Sequence, residues 1–325
     1  MTDGRQGLTK PQPTGDRFGD LPAPPRPLAL AVPNVSEGRH QPTIDALADA
    51  CRVPGVRVVD LHSDADHHRT VISLVGDPLA IQEALVALAA EAMERIDLRR
   101  HVGVHPRVGA LDVAPIVALT PEELPLAREL AAAVSEQIAA DLGLAVFGYG
   151  EIASHRERDR PHHFRLPGLE WITDEMAAGR MRPDAGPARV HPSAGVVLVG
   201  ARLPLVALNV WLPEATLTEA RAIAAQVREA GGGPLGLRAL GLYLHEVGMA
   251  QVSMNIEDHR ATPPVTAIRA VRRAAERLGV ETGEVELVGL VPAEAIAGIS
   301  PAALGIRGFR PGHLVDLHLG RLRGS

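Results

Sequence analysis

The chain of 325 residues is long enough for two domains of ordinary size or one large one. Lys and Arg number 33 against 39 Asp and Glu, a formal net charge of −6, which argues against a general binder of nucleic acid or membrane surfaces because such a protein needs a basic face. A single cysteine, Cys51, excludes an intrachain disulfide and a cysteine-rich zinc module. Four Phe, two Trp and two Tyr stand against 14 histidines, so we expect an aliphatic core and look for chemistry among the histidines.

Strands and helices alternate regularly after residue 28. Residues 1–27 are rich in proline and glycine and are predicted to be a disordered tail, and no apolar run is long enough to span a bilayer. The first predicted elements are a strand over 28–33, a helix over 42–51, strands over 56–62 and 70–76, a helix over 78–96, a strand over 108–119, a helix from a capping box at Thr120-Pro121-Glu122-Glu123 to Leu142, and a strand over 145–149. After a short helix over 169–178 come strands over 196–202 and 206–211, a helix over 217–230, strands over 237–244 and 250–256, a helix over 264–278 and a strand over 285–290.

Both parts of this pattern contain the order β, α, β, β, α, β. In this split βαβ arrangement two helices cover one face of an antiparallel or mixed sheet. We therefore predict an α/β protein of the α+β type, built from two βαββαβ ferredoxin-like subdomains over residues 28–204 and 205–325. The uncovered sheet faces predict a ligand cleft or tunnel between the two subdomains.

The strongest chemical signal is the segment Arg99–Val113, a loop leading into a strand. Gly103 and Pro106 prevent a continuous helix there, and the loop concentrates two histidines and three arginines. We interpret His105 as a general acid and base and Arg107 as a ligand for an anionic substrate, with Gly109 allowing close approach. The alternative is a surface loop with solvated charges.

A second polar cluster lies between the strands over 56–62 and 70–76. Its carboxylates and imidazoles suit a divalent metal, and Asp66-His67-His68 echoes a motif of manganese phosphoesterases. The Asp-rich loop that accompanies that motif is not visible upstream, and Gly103 interrupts any helical pairing of His101 with His105. We therefore predict no metal and keep a metal phosphoesterase as a remote alternative. The cluster comprises Asp60, His62, Asp64, Asp66, His67, His68 and Arg69.

A third segment, residues 182–195, is a long loop stiffened by three prolines. A stiff loop loses less entropy when it positions a ligand, and Arg189 and His191 offer hydrogen-bond donors to an anion. The alternative is an ordinary proline-rich connection.

Several long motifs in these regions resemble those of the glutamate formimidoyltransferase family, the formiminotransferase part of formiminotransferase-cyclodeaminase. The resemblance covers residues 28–292, and no cyclodeaminase domain is expected in this chain. Its landmarks are Val32-Pro33-Asn34-Val35-Ser36-Glu37-Gly38, His68-Arg69-Thr70-Val71, the stretch from His105 to Val113, the stretch from Pro187 to Gly195, Gly200-Ala201-Arg202, Ala250-Gln251-Val252-Ser253 and Leu287-Val288-Gly289-Leu290-Val291-Pro292.

The resemblance implies transfer of a formimidoyl group from N-formimidoyl-L-glutamate to N5 of tetrahydrofolate, a step of histidine degradation. It implies tetrahydrofolate as co-substrate without a metal, small-molecule partners only, a cytoplasmic homodimer and a positively lined folate tunnel. The family's catalytic histidine falls on His105, and Arg69, Arg107 and Arg189 are our candidates for the anionic groups of the substrates. The implied folate-contacting stretch comprises Pro187, Ala188, Arg189, Val190, His191, Pro192, Ser193, Ala194, Gly195 and Val196.

Four positions depart from the family pattern. Val104 stands where an acidic residue usually precedes the catalytic histidine, His62 and His68 replace Asp and Asn of the animal enzymes, and Ala194 replaces a Trp. Two alternatives therefore stay open: a diverged folate-dependent transferase that moves a formyl group or uses another formimidoyl donor, and a non-catalytic folate-binding protein.

Overall fold

A computed structural model describes residues 28–321, so the predicted tail over 1–27 lies outside the described residues. Strands β1 to β11 are Ala29–Ala31, Asn34–Val35, Val56–Asp64, Arg69–Gly76, Leu111–Val117, Val146–Gly150, Val197–Arg202, Val206–Leu212, Leu237–Leu244, Met249–Ile256 and Val285–Val288. Helices α1 to α9 are Gln41–Ala50, Pro78–Arg95, Leu124–Leu142, His162–Arg165, Gly168–Ala177, Leu217–Val227, Pro264–Arg277, Pro301–Leu304 and Val315–His318. The predicted α+β class is confirmed.

The N-terminal half forms a mixed seven-stranded sheet. β3 lies at one edge and pairs with β4; the short strands β1 and β2 both lie between β4 and β5, and all these pairings are antiparallel. Beyond β5 the sheet continues with β7 and then β6, which pair in parallel. This half is therefore larger than the predicted six-element unit, because α3 returns the chain so that two more strands can pair. The predicted first strand is broken between Ala31 and Asn34, where Pro33 has no backbone N–H to donate to the sheet.

Helices α1, α2 and α3 cover one face of this sheet with an aliphatic core that includes Leu47, Leu85 and Ile138. The opposite face of the sheet is covered in two places. Phe164 of α4 and Ile172 of α5 pack on it in one place, and Val315 and Leu319 pack near Val75 in another. The C-terminal end of the described chain thus returns to the N-terminal sheet.

The C-terminal half contains a four-stranded antiparallel sheet in the order β11, β8, β10, β9, with α6 and α7 packed together on one face. Thr216 and Glu219 form a capping box at the start of α6. The capping box predicted at Thr120 is wrong. The chain there makes a 3-10 turn over Pro121–Glu123, and the Glu123 carboxylate accepts the backbone N–H of Leu119 at 2.9 Å.

The two halves contact each other at the end of β3 and at the turn that follows it. Oδ1 of Asp66 accepts the backbone N–H of Glu246 at 2.9 Å, and Nε2 of His62 lies 3.7 Å from Oε1 of Glu286. The histidine-rich turn is therefore held between the halves. Within residues 28–321, no helix combines the length and apolar character that crossing a membrane would need.

Candidate functional site

Two predicted loop segments are joined backbone to backbone at the edge of β5. Gly109 pairs with Gly195, the N–H of Ala110 donates to the carbonyl of Ala194 at 2.8 Å, and the N–H of Val196 donates to the carbonyl of Val108 at 2.9 Å. A Cβ atom on Gly109 would lie 2.1 Å from the Val196 carbonyl oxygen, so only glycine permits this approach. The two segments that the sequence singles out, residues 105–109 and 187–196, are thus neighbours in the structure at this pairing.

Asp112 fixes the loop that carries His105. Its Oδ1 accepts the backbone N–H groups of Val108 at 2.7 Å and Gly109 at 3.3 Å, and its Oδ2 pairs with Arg165. Asp112 lies within the segment Arg99–Val113 that the sequence singles out, but the sequence pattern predicts no role for it or for Arg165. No sequence periodicity marks Arg165, because it ends a four-residue helix in an irregular region and reaches the site only through tertiary packing.

Arg107 ties the same loop to the turn between β3 and β4. Its guanidinium donates to the backbone carbonyls of His67 at 2.9 Å, His68 at 3.1 Å and His105 at 2.6 Å, and also to the ring of His101. Burial and the nearby charge of Arg165 lower the pKa of Arg107 to about 10, although Asp112 opposes the shift. Arg107 therefore holds the loop in shape, and its contact with an anionic substrate stays a prediction.

His105 lies beside Arg69 at the centre of this arrangement. Nη1 of Arg69 is 2.6 Å from Nε2 of His105, and the imidazole is partly buried. Burial, followed by the positive charges of Arg69 and Arg165, holds the pKa of His105 well below the ordinary histidine value. The imidazole is therefore neutral at pH 7.

Within residues 28–321, the positive charge of Arg69 is not paired with a carboxylate at ion-pair distance. Among the described residues, its guanidinium has His105 as its only hydrogen-bond partner and forms no ion pair with a carboxylate. Burial and the charge of Arg165 lower the pKa of Arg69 to about 9, against the opposite effect of Asp112. An uncompensated arginine flanked by Arg107 and Arg165 is suited to binding an anion.

His67 forms a buried polar chain that crosses to the C-terminal half. Asp64 Oδ1 lies 3.0 Å from His67 Nδ1 and accepts the His67 backbone N–H at 2.7 Å. On the other side, Nε2 of Gln251 in β10 lies 3.3 Å from Nε2 of His67. Burial alone would raise the pKa of Asp64, but the hydrogen bonds and charge of His67 lower that pKa to about 2. The ring of His67 lies 6.1 Å from that of His105, so this chain borders the same site.

His68 and His101 stack with ring centres 3.7 Å apart and planes 20° from parallel. His68 adopts a positive φ of 49°, and its Nε2 lies 3.1 Å from Oε1 of Glu37. Burial, Arg107 and His68 lower the pKa of His101 to about 4. The two imidazoles are therefore engaged with each other, with Glu37 and with Arg107.

The stretch Pro187–Val196 combines exposed and buried positions. Ala194 and Val196 are buried in the hydrophobic core, so their side chains support the strand pairing. Nδ1 of His191 accepts the backbone N–H of Ala194 at 3.0 Å, which closes the turn. Arg189 is exposed, and its side chain has no hydrogen-bond or ion-pair partner among residues 28–321.

The polar cluster weighed as a metal site does not converge on one point. Asp66 accepts the backbone N–H of Glu246, and Asp64 binds His67. Burial raises the pKa of the Asp60 carboxyl, although the nearby charges of His62 and His313 oppose the shift. Across the described part of the chain, no group of three or more His, Cys, Asp or Glu side chains is arranged to hold a metal ion.

Sequence comparison identifies the architecture that carries this site. The family described as "Formiminotransferase domain, N-terminal subdomain" matches residues 28–202, and the one described as "Formiminotransferase domain" matches residues 207–301. The chain belongs to the formiminotransferase family. All the side chains described around His105 lie within these two matched regions, and Gln251 is the member of the site from the second region.

Individual relatives of the family cover most of the chain. A protein of Streptococcus pyogenes serotype M1 named glutamate formimidoyltransferase is 38% identical over 87% of this chain and 95% of its own length. A protein of the same name from Thermoplasma acidophilum is 33% identical over 89% of this chain and 96% of its own length. The formimidoyltransferase-cyclodeaminase of Rattus norvegicus is 34% identical over 83% of this chain, which spans 51% of the rat protein.

Proposed function

We propose that this chain is a glutamate formimidoyltransferase, which moves the formimidoyl group of N-formimidoyl-L-glutamate to N5 of tetrahydrofolate. The observation that carries the proposal is a neutral His105 held against an arginine without a carboxylate partner, in a chain of the formiminotransferase family. The site offers a proton acceptor and an anion-binding group side by side, which is what transfer from an anionic donor to an amine requires.

The carboxylates of the donor are assigned to the arginine cluster. Among the described residues Arg69 has no carboxylate partner, whereas Arg165 is paired with Asp112 and Arg107 donates to backbone carbonyls. A planar guanidinium can hold a carboxylate through two parallel hydrogen bonds, which fixes its orientation as well as its position. Arg69 is therefore the first contact in this proposal, and Arg107 and Arg165 add positive potential around it.

His105 moves the proton that the reaction must transfer between two nitrogens. N5 of tetrahydrofolate attacks the formimidoyl carbon and forms a tetrahedral adduct with a protonated N5. The imidazole takes that proton and returns it to the glutamyl nitrogen as the carbon–nitrogen bond to glutamate breaks. The products are 5-formimidoyltetrahydrofolate and glutamate, and no proton is gained or lost overall. Holding amine and amidine together supplies further acceleration.

The folate is assigned to the stretch Pro187–Val196 and the adjacent Gly109. These segments lie side by side, with exposed Arg189 available to an anionic tail and His191 half-exposed beside it. Because Ala194 offers no aromatic face, the pterin ring would rest on proline, aliphatic or imidazole surfaces instead. By resemblance, the proposal includes tetrahydrofolate as co-substrate without a metal, and a homodimer in the cytoplasm.

A second candidate, transfer of a formyl group, is motivated by Val104. The charges that act most strongly on His105 come from Arg69, Arg165, His67 and Arg107, and they disfavour an imidazolium that the usual acidic neighbour would stabilise. The test is a panel of two reactions with purified protein: N-formimidoyl-L-glutamate with tetrahydrofolate, and 5-formyltetrahydrofolate with L-glutamate. Turnover in the first reaction, abolished in His105→Ala, supports the proposal. Turnover in the second alone supports formyl transfer, and folate binding without any turnover supports a binding protein.

A further inference from the structure

The contact between Arg69 and His105 determines which nitrogen lone pairs of the imidazole are in use. A guanidinium has no acceptor, so Nε2 of His105 accepts the hydrogen bond from Nη1 of Arg69 at 2.6 Å. In a neutral imidazole the other nitrogen, Nδ1, then carries the ring proton. While Arg69 occupies this position, neither nitrogen of His105 can take up a proton.

We propose that Arg69 masks the base in the free enzyme and that a carboxylate of the donor unmasks it by taking over the guanidinium. The inference rests on the function proposed above and adds to it a reason for the substrate class. Arg69 acts here as a positioning residue for His105 as well as a ligand for the donor.

The local charges favour this exchange of partners. A neutral imidazole gives Arg69 a hydrogen bond but no negative charge, and Arg107 and Arg165 both disfavour the charge of Arg69. The acids closest to the cluster are engaged, Asp112 by Arg165 and Asp64 by His67. An arriving carboxylate supplies charge and a two-point hydrogen bond together, which makes it a stronger partner than the imidazole.

The exchange explains how the proton steps become possible. Once Arg69 binds the carboxylate, Nε2 of His105 has a free lone pair facing the space that Arg69 has left. It accepts the N5 proton as the new carbon–nitrogen bond forms and donates it to the departing glutamyl nitrogen, so the reaction consumes no other reagent. A donor without a carboxylate leaves the base masked and is expected to react slowly even when it fits the site.

Nitrogen NMR of the labelled His105 ring tests the masking directly. In wild-type protein with 15N-histidine, we expect added L-glutamate to move the Nε2 resonance from its hydrogen-bonded value towards that of a free acceptor. Arg69→Met is expected to show the free value without glutamate, whereas Arg100→Met, which alters an exposed arginine near the same loop, is expected to behave as wild type. An Nε2 resonance that glutamate does not change at any concentration overturns the inference. The wild-type titration needs no substituted protein, so a folding defect in Arg69→Met does not affect it.

Kinetics with formamidine, a donor without a carboxylate, provide an independent test. We expect wild-type transfer from formamidine to tetrahydrofolate to rise roughly tenfold when glutarate is added, and Arg69→Met to be faster than wild type by a similar factor without glutarate. Equal rates in all these conditions overturn the inference. If glutamate shifts the Nε2 resonance but N-formimidoyl-L-glutamate is not a donor, the proposed function fails and the masking stands. If transfer occurs without any shift, the masking fails and the function stands.

Discussion

The guanidinium of Arg165 forms an ion pair with the carboxylate of Asp112. Asp112 is buried, with only 4% of its surface exposed. The other oxygen of the same carboxylate accepts the backbone N–H groups of Val108 and Gly109. One buried acid therefore shapes the loop of His105 and neutralises one of the three arginines around it.

The two roles of Asp112 are separable by substitution. Asp112→Asn keeps an oxygen for the backbone but leaves Arg165 without its counter-charge, so we expect the free energy of unfolding to fall by about 3 kcal/mol. Asp112→Ala also leaves two buried N–H groups without an acceptor, which is expected to remove about 1 to 3 kcal/mol more. Urea unfolding measures both values, with Asp141→Asn on an exposed position of α3 as control. An equal fall in the free energy of unfolding for Asp112→Asn and Asp112→Ala would contradict the role of Asp112 as acceptor for the backbone N–H groups.

The close approach at Gly109 makes a second prediction. Because an added Cβ would meet the Val196 carbonyl at 2.1 Å, Gly109→Ala is expected to lower the free energy of unfolding by about 2 kcal/mol and to reduce transfer activity. Gly312→Ala is the matched control, since a Cβ there has nothing within 4 Å, and it is expected to change stability by less than about 0.5 kcal/mol. Unfolding curves that coincide for the two variants would show that the strand pairing tolerates the side chain.

The pH dependence of transfer reports the state of His105. Since its pKa lies well below the ordinary value, the active neutral form persists on acidification, and kcat/KM is expected to stay level from about pH 8 to below about pH 6.5. His155→Asn, at an exposed histidine, serves as control and is expected to leave the profile unchanged. An acid limb centred at or above about pH 6.5 in the wild-type profile would contradict a neutral, electropositively surrounded His105.

Stability on acidification reports His101. Its folded pKa is lowered to about 4, so between that value and the unfolded value of about 6.5 the unfolded chain binds a proton that the folded chain does not. Stability therefore falls as pH decreases through this window. After allowance for solvent screening, we expect His101→Gln to reduce the slope by about 0.5 to 1 kcal/mol per pH unit. Chemical denaturation at several pH values measures the slope, and identical slopes in wild type and variant would refute the assignment.

Much of the fold was predictable because the aliphatic periodicity and the helix-ending glycines are local signals. Gly143, for example, ends α3 in the left-handed conformation with φ of 62°, where the sequence predicted the stop. The strands β6 and β7 were predicted as elements, but their parallel pairing beyond β5 and the return of Val315 to the N-terminal sheet were not predictable. Strand pairing and the packing of short helices depend on tertiary contacts that no periodicity encodes.

The candidate site was predictable as far as its motifs are contiguous. The sequence singled out Arg69, His105 and Arg107, and the structure brings them together. Arg165 and the link from His67 to Gln251 were missed as site features, because each partner lies more than 50 positions away in the chain. The polar cluster between β3 and β4 could not be interpreted from sequence spacing, because Asp66 is turned to the backbone of Glu246 and Asp64 to His67 by tertiary and turn contacts.

The central claim, that a formimidoyl group passes intact from the glutamyl donor to folate, is tested most directly by isotope labelling. Purified protein would receive tetrahydrofolate and N-formimidoyl-L-glutamate carrying 13C in the formimidoyl carbon and 15N in its terminal imino nitrogen. Mass spectrometry is expected to find both labels together in 5-formimidoyltetrahydrofolate and none in the released glutamate, with formation of the product lost in His105→Ala. Transfer of the carbon without the nitrogen, or recovery of both labels only in unreacted donor, would contradict the account.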